Sequence, residues 1–391
     1  MSWPTASLVR IREEFVLAAL ARQESFVRLC LRYRIGRSTG YKWLQRFRAS
    51  GRAGLANASR RPHRSPHQLK WIWQQALRQL RRRHPHWGPR KLRVRLRQLH
   101  PRVQLPCVRT LARWLQRLGL VRRRRRHQQR GPDLPARQRT VARQVNAVWT
   151  VDFKGWFRTA DGTRVFPLTV RDLKSRFILD VRLLLDQTYH TTRAAMLRLF
   201  RRYGLPQVIR VDNGPPFGGG GPLGLSRLSA WWRALRIRVE FGRPGHPQDN
   251  AAHEQMHAVY QAEVVAQPQC DRQRQQRASD RWRASYNYQR PHEALGLRAP
   301  AQLYVASPRR LPPSLQPWPY PANWHVRRVR ADGRLFWQGR QRYIGEAFSH
   351  QVVGLRPRQA DTWDVFFGPD PLGRLYQRDG SRSLRPCRYT R

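Results

Sequence analysis

Asp152 stands in the middle of VWTVDFKGWF, residues 148 to 157, a run that otherwise has the composition of a buried β-strand. A carboxylate placed there loses hydration and costs several kcal/mol, on the order of the penalties for buried ions, unless a cation or a strong hydrogen-bond donor compensates it. Other acids fall where local structure accounts for them. Asp161 and Asp172 lie in the turn-like stretches RTADGTR and DLKSR, where an Asp side chain bonds nearby backbone. Asp249 is placed as a helix N-cap, and Asp180 and Asp186 follow or interrupt strand-like runs as structural acids would. Beyond Asp249, Asn250, Glu254, His257 and Gln261 recur at spacings of 4, 3 and 4, which puts them on one face of a helix.

The elements that must position these residues belong to a strongly cationic chain. Lys and Arg number 77 against 23 Asp and Glu, for a net charge of +54, enough to repel the chain's own compact state. A polyanionic partner is implied. A gene rich in G and C explains why nearly all the cations are Arg, but not why residues 1 to 145 hold only Glu13, Glu14, Glu24 and Asp133 as acids. That third of the chain has the footprint of a phosphate-binding surface. Nucleic acid is expected rather than a membrane: no stretch approaches the roughly 20 apolar residues of a spanning helix, and FVLAALA at 15 to 21 is too short. The four cysteines, Cys30, Cys107, Cys270 and Cys387, lack any CxxC spacing and suit a reducing, cytoplasmic, nucleoid-associated setting.

Phe26, Leu29, Cys30 and Tyr33 recur as one helix face, and after IGR the pattern repeats with Gly40, Trp43, Leu44 and Phe47. Two short amphipathic helices around a tight turn predict a helix-turn-helix within residues 1 to 60, its second helix presenting Ser38, Thr39, Lys42 and Arg46 to DNA. A second such unit is expected over 66 to 121. Leu92, Leu96 and Leu99 mark one of its helices, Val108, Leu111, Ala112, Leu115 and Leu118 the next, with Arg109 and Arg113 as its DNA contacts. Residues 122 to 145 read as a basic linker whose Arg122, Arg123 and Arg124 track a phosphate backbone.

From residue 146 the pattern predicts three strands, a helix stopped by Gly204, a fourth strand ending at Asp212, and further helices, a mixed α/β layer. This core is expected to run from 146 to 305. The Pro-rich stretch 306 to 322 is a semi-rigid linker, and short strands over 323 to 391 suggest a small all-β barrel that binds DNA or serves as a packing or oligomerisation module.

WTVDFKG, RYGLPQVIRVDNGPPF, GRPGHPQDNAAHEQMH and YNYQRPHEALGLRAPAQLY, in that order behind helix-turn-helix units, resemble an insertion-sequence transposase with the retroviral-integrase catalytic core. The resemblance spans residues 20 to 305. It implies a ribonuclease-H-like sheet and a catalytic triad of two Asp and one Glu that hold divalent metal. On this sequence those positions are Asp152, Asp212 and Glu254. The helix face of Asn250, Glu254, His257 and Gln261 should border the metal and the DNA, with Asn250, His257 and Gln261 as DNA contacts. Gln261 departs from the pattern, because the family usually has a basic residue there to contact the DNA end.

The chemistry of the carboxylates agrees with that placement. Mg²⁺, or Mn²⁺, takes oxygen ligands, and three converging carboxylates would repel one another without it. Two ions per site would relieve the repulsion and clamp the attacking and leaving oxygens of an in-line displacement. Metal is then what compensates Asp152. The resemblance implies a DNA transposase that binds the terminal inverted repeats of its element, hydrolyses a phosphodiester at each end and transfers the strand to target DNA, as at least a dimer on DNA. The alternative is a degenerate copy that keeps DNA binding and has lost cleavage.

Overall fold

The structure is a computed structural model that describes residues 8–57, 71–121, 140–243, 251–359, 361–377 and 384–385. Arg122, Arg123, Arg124, Asn250 and the predicted N-cap Asp249 lie outside the described residues. The chain divides into two compact units, Met1–Gln68 and Leu69–Arg391.

The first unit is a bundle of α1 (Leu8–Ala21), α2 (Phe26–Arg32) and α3 (Arg37–Ser50). Phe15, Val16, Leu29, Cys30 and Leu55 form its core, with Phe26, Tyr33, Trp43 and Phe47 packed against them. Ser25 caps α2 by accepting from the Arg28 N–H at 3.4 Å. The two helices expected from periodicity are present. The helix α1 that completes the core was legible only as an apolar stretch. Gly40 is buried where α3 crosses its neighbours, and a Cβ there would sit 2.9 Å from Cys30 Sγ and 3.0 Å from Phe15. Only glycine lets the helices approach so closely.

Within the second unit, α4 (Trp71–Arg83), α5 (Pro89–Leu99) and α6 (Val108–Arg117) enclose Leu77, Leu80, Trp87, Leu92, Leu96, Leu111 and Leu115. Arg93 Nε donates to the Pro106 carbonyl at 2.8 Å and fixes the turn between α5 and α6.

The α/β part begins with β1 (Val148–Phe153), β2 (Phe157–Arg158), β3 (Arg164–Asp172) and β4 (Ile178–Leu184), followed by α7 (Tyr189–Tyr203), β5 (Val208–Val211), α8 (Arg227–Ala234) and β6 (Arg238–Phe241). Strand order is β2-β3-β1-β5-β6 with β4 also on β3. β3 runs antiparallel to β1 and β4, whereas β5 is parallel to β1 and β6 parallel to β5. The helix α7 supplies the crossover that a parallel neighbour requires.

Alternation along β1 explains how this sheet is covered on both faces. Trp149 and Val151 join Leu168, Val170, Phe200, Trp231 and Trp232 in the main core with α7 and α8. Thr150 and Asp152 point to the opposite face, where α9 (Ala251–Tyr260) and α10 (Arg272–Tyr288) bury Met256, Tyr260, Trp282 and Tyr286 against Ile178 and Val181. Asn287 grips the edge of β4 by accepting from the Ile178 N–H at 2.9 Å and donating to its carbonyl at 2.8 Å. A single π-type turn, Gln261–Val265, ends α9.

The C-terminal strands are β7 (His325–Arg328), β8 (Arg334–Trp337), β9 (Arg340–Tyr343), β10 (Val352–Gln359), β11 (Thr362–Phe367) and β12 (Asp370–Tyr376). They correct the expected barrel. β12-β11-β10-β7 is an open antiparallel sheet and β8-β9 a separate hairpin, with no closed barrel among the described residues. The buried Asp364 binds Arg356 at 2.8 Å and Arg374 at 2.9 Å, so part of the local cationic charge is internal. No helix among the described residues is long and apolar enough to cross a membrane.

Candidate active site of carboxylates and histidines

Strand pairing brings the two aspartates together. Val148 pairs with Val208 and Thr150 with Arg210, an offset of 60 that, carried two residues further, sets Asp152 beside Asp212. The third acid, Glu254, lies in the first turn of α9 with its side chain exposed. Both of the other acids act electrostatically on Asp152. Burial raises the Asp152 carboxyl, Asp212 and Glu254 raise it further, and it reaches about 7. Asp212 is also raised by burial, although the N–H of Gly214 partly offsets this.

Behind Asp152 lies a polar cluster. His253 is fully buried, with Nδ1 2.7 Å from Thr150 Oγ1 and Nε2 2.6 Å from Thr169 Oγ1. Thr169 Oγ1 also meets His257 Nε2 at 2.8 Å and donates to the Asp152 carbonyl at 3.0 Å. A hydroxyl has one proton and two lone pairs. The Asp152 carbonyl can only accept, and with the Thr169 proton placed there the hydroxyl accepts from both Nε2–H groups. His253 Nδ1 is then an acceptor for Thr150, and His257 Nδ1 carries a lone pair. That nitrogen is 3.9 Å from Asp152 Oδ2. Both imidazoles are held neutral: burial, aided by Lys154 and Arg171, lowers His257 to about 3, and burial lowers His253 well below the usual range.

Two further contacts fix the helix and the strand end. Arg171, buried on β3, donates from Nη1 to the Ala252 carbonyl at the start of α9. Lys154 Nζ, two residues beyond Asp152, donates to Gln261 Oε1.

Each residue expected to act can now be placed. Asp212 and Glu254 lie near enough to Asp152 to raise its carboxyl. His257, expected at the DNA, is only 5% exposed and points at the sheet, because its ring is the lid of the Thr169 cluster. Gln261 is exposed, but its carbonyl oxygen is taken by Lys154. Ser38, Thr39 and Lys42 are exposed on α3, and Arg46 is half-buried with its guanidinium 5.4 Å from the Trp43 ring. Arg109 and Arg113 are exposed on α6. Asp161 and Asp172 make local bonds, the first to Thr163 N–H at 3.0 Å and the second to Ser175 N–H at 2.7 Å.

Sequence reasoning missed Thr150, Thr169, Arg171, Lys154 and His253. One signal was available: His253 and His257 flank Glu254 as HExxH, the spacing that places two imidazoles on one helix face toward a metal. Asp152, His253 and His257 do present ligand atoms within 4.8 Å of one another.

Family models match along the chain. A helix-turn-helix domain covers residues 11–63 and a homeodomain-like domain 39–115. Integrase core domains cover 142–247 and 235–300, and the C-terminal domain of IS481 family transposases covers 324–379. The insertion element IS407 uncharacterized 31.7 kDa protein of Burkholderia multivorans is 30% identical over 185 residues, 47% of this chain and 64% of that protein. The insertion element IS476 uncharacterized 39.2 kDa protein of Xanthomonas euvesicatoria is 28% identical over 231 residues, 57% of this chain and 62% of that protein. The chain thus spans a little under two thirds of each relative's length. Among solved structures, the HTLV-2 integrase catalytic core domain aligns with a TM-score of 0.31 and 15% identity, covering 42% of this chain and 99% of that one. A chain of the simian T-cell lymphotropic virus intasome aligns with a TM-score of 0.36 and 15% identity, covering 74% and 91%. By the succession of helix-turn-helix, integrase-core and IS481-family transposase C-terminal matches in one chain, this protein is similar to insertion-sequence transposases of the IS481 type.

Proposed function

We propose that the protein is a DNA transposase whose Asp152, Asp212 and Glu254 hold two divalent ions, Mg²⁺ or Mn²⁺, and carry out cleavage and strand transfer at the ends of its element. The observation that supports this most is the Asp152 carboxyl, pushed to about 7 by burial and by the two neighbouring acids. Such a site is poorly disposed toward free carboxylates and well suited to a hard cation. The residues present fit the metal. When bound, it would supply charge neutralisation at the attacking and leaving oxygens of a phosphodiester.

The chain's own groups do the positioning. Strand β1 fixes Asp152, the turn after β5 fixes Asp212, and the Thr169 cluster holds α9 so that Glu254 faces them. Lys154, oriented by Gln261, brings an ammonium to the mouth of the site, and Gln261 acts on the DNA end through it. Recognition of the terminal repeats falls to residues 1–60 and 66–121 through Ser38, Thr39, Lys42, Arg46, Arg109 and Arg113. The segment 122–145 and the sheet of 323–391 add phosphate contacts, and two protomers act together on DNA because two ends must be joined in one event.

The test is direct. Asp152→Asn, Asp212→Asn and Glu254→Gln should each reduce cleavage of a duplex bearing the terminal repeat by at least about 10³-fold while binding stays within about twofold. Cleavage at the parental rate by any of them would remove that residue from the site.

A further inference from the structure

We propose that His257, through Nδ1, is a metal ligand alongside Asp152, which makes the site a mixed nitrogen and oxygen one that favours Mn²⁺ over Mg²⁺. The inference rests on the carboxylates binding metal, and adds to them a ligand on the buried side of the site.

Proton placement carries the inference. With the one hydroxyl proton of Thr169 on the Asp152 carbonyl at 3.0 Å, His257 Nε2, 2.8 Å from that oxygen, is the protonated nitrogen. The other nitrogen, Nδ1, then carries a lone pair 3.9 Å from Asp152 Oδ2. Once Asp152 is ionised, two acceptors across such a gap repel unless something positive lies between them. The gap is too long for a shared proton, since a hydrogen bond of this kind spans roughly 2.7–3.2 Å. It is suited to an ion, because two ligand bonds of roughly 2.1 Å reach up to about 4.2 Å.

The same accounting excludes the neighbouring imidazole. Both nitrogens of His253 are bound to threonine hydroxyls, at 2.7 and 2.6 Å, so the HExxH pair offers one free nitrogen rather than two. A zinc site of two histidines is not formed. The Thr169 bond to His257 Nε2 is the kind of outer contact that fixes tautomer and ring orientation in a metal-bound histidine. One imidazole among carboxylates shifts preference away from Mg²⁺, which takes oxygen, toward Mn²⁺ and later transition metals.

The test reads the ligand itself. Untagged full-length protein, natural-abundance and ¹⁵N-histidine-labelled, is loaded with Mn²⁺ alone and examined by electron spin-echo envelope modulation. Directly bound ¹⁴N modulation should be present in the first, replaced by ¹⁵N in the second, and absent from His257→Gln. By calorimetry, Mn²⁺ should bind at least about tenfold tighter than Mg²⁺, and His257→Gln should lose about tenfold in Mn²⁺ affinity while Mg²⁺ affinity stays within about twofold. Bound Mn²⁺ without histidine nitrogen coupling would overturn the proposal and leave the carboxylate site standing. Coupling that persists in His257→Gln would overturn it in favour of His253. Failure of the wild-type protein to bind Mn²⁺ would overturn both, and the wild-type spectrum decides even if the variant does not fold.

Discussion

Thr169 gives its one hydroxyl proton to the Asp152 carbonyl and accepts from His253 and His257, contacts that join β1, β3 and α9. Thr169→Val keeps the shape and removes every one of them, leaving two buried imidazole N–H groups without an acceptor. A loss of about 2–3 kcal/mol is expected in denaturant unfolding, together with weaker metal binding. An unchanged midpoint would mean that the cluster does not hold the helix. Asp152 has a different signature. Its folded value of about 7 lies above the ordinary carboxylate range, so between roughly pH 4 and 7 the folded chain keeps a proton that the unfolded chain releases. The contribution of Asp152 to stability is therefore fully present below pH 4 and is lost as pH rises through 7, by an amount on the order of 4 kcal/mol for the metal-free protein. Asp152→Asn should melt above the wild type at pH 8 in EDTA, with the gap closing at pH 4 and when Mn²⁺ is added to the wild type. Equal melting at pH 8 in EDTA would show that Asp152 bears no such burden.

At the scale of elements, Gly40 sets how closely α3 lies on α1 and α2. Gly40→Ala pushes a methyl to within 2.9 Å of Cys30 Sγ and 3.0 Å of Phe15 and Phe26. About 1–3 kcal/mol of destabilisation is expected from such overpacking. The displaced α3 should also lower the ratio of terminal-repeat to random-DNA affinity, as Lys42→Ala should without any loss of stability. If neither substitution changes that ratio, end recognition lies with the helices around Arg109 and Arg113. These helices, and the succession of strands along the core, were legible because apolar residues recur at periods of 3.6 and 2. Asp152 was legible because a lone acid stands out in an apolar strand. What stayed hidden depends on contacts distant in sequence: Thr150 and Thr169 look like ordinary strand residues until His253, 103 and 84 positions away, meets both. His257 was misplaced because helical spacing fixes which residues share a face, but not which part of that face turns inward. The open C-terminal sheet has the same origin, since alternation reveals strands without showing whether their edges close.

For the whole molecule, a charge of +54 is expected to make binding to any DNA strong at low salt and steeply weaker as salt rises. The ratio of end to random DNA, compared at one salt concentration, is the quantity that reports recognition. Synapsis of two ends by two protomers has its own test. A Glu254→Gln protein with intact helix-turn-helix domains is mixed with a catalytically intact protein lacking residues 1–145. Restored cleavage is expected if one protomer binds the end that the other cuts, and continued inactivity within a shared DNA complex would assign both tasks to the same protomer. The most direct measurement of the central claim follows a labelled terminal-repeat duplex and a supercoiled target in Mn²⁺ with the wild-type protein. The expected result is a nick that exposes a 3′-hydroxyl, followed by joining of that strand to the target, with joining blocked when the end carries a dideoxy terminus. Tight end binding with no cleavage would contradict the account and leave a DNA-binding protein; cleavage without joining would leave a nuclease.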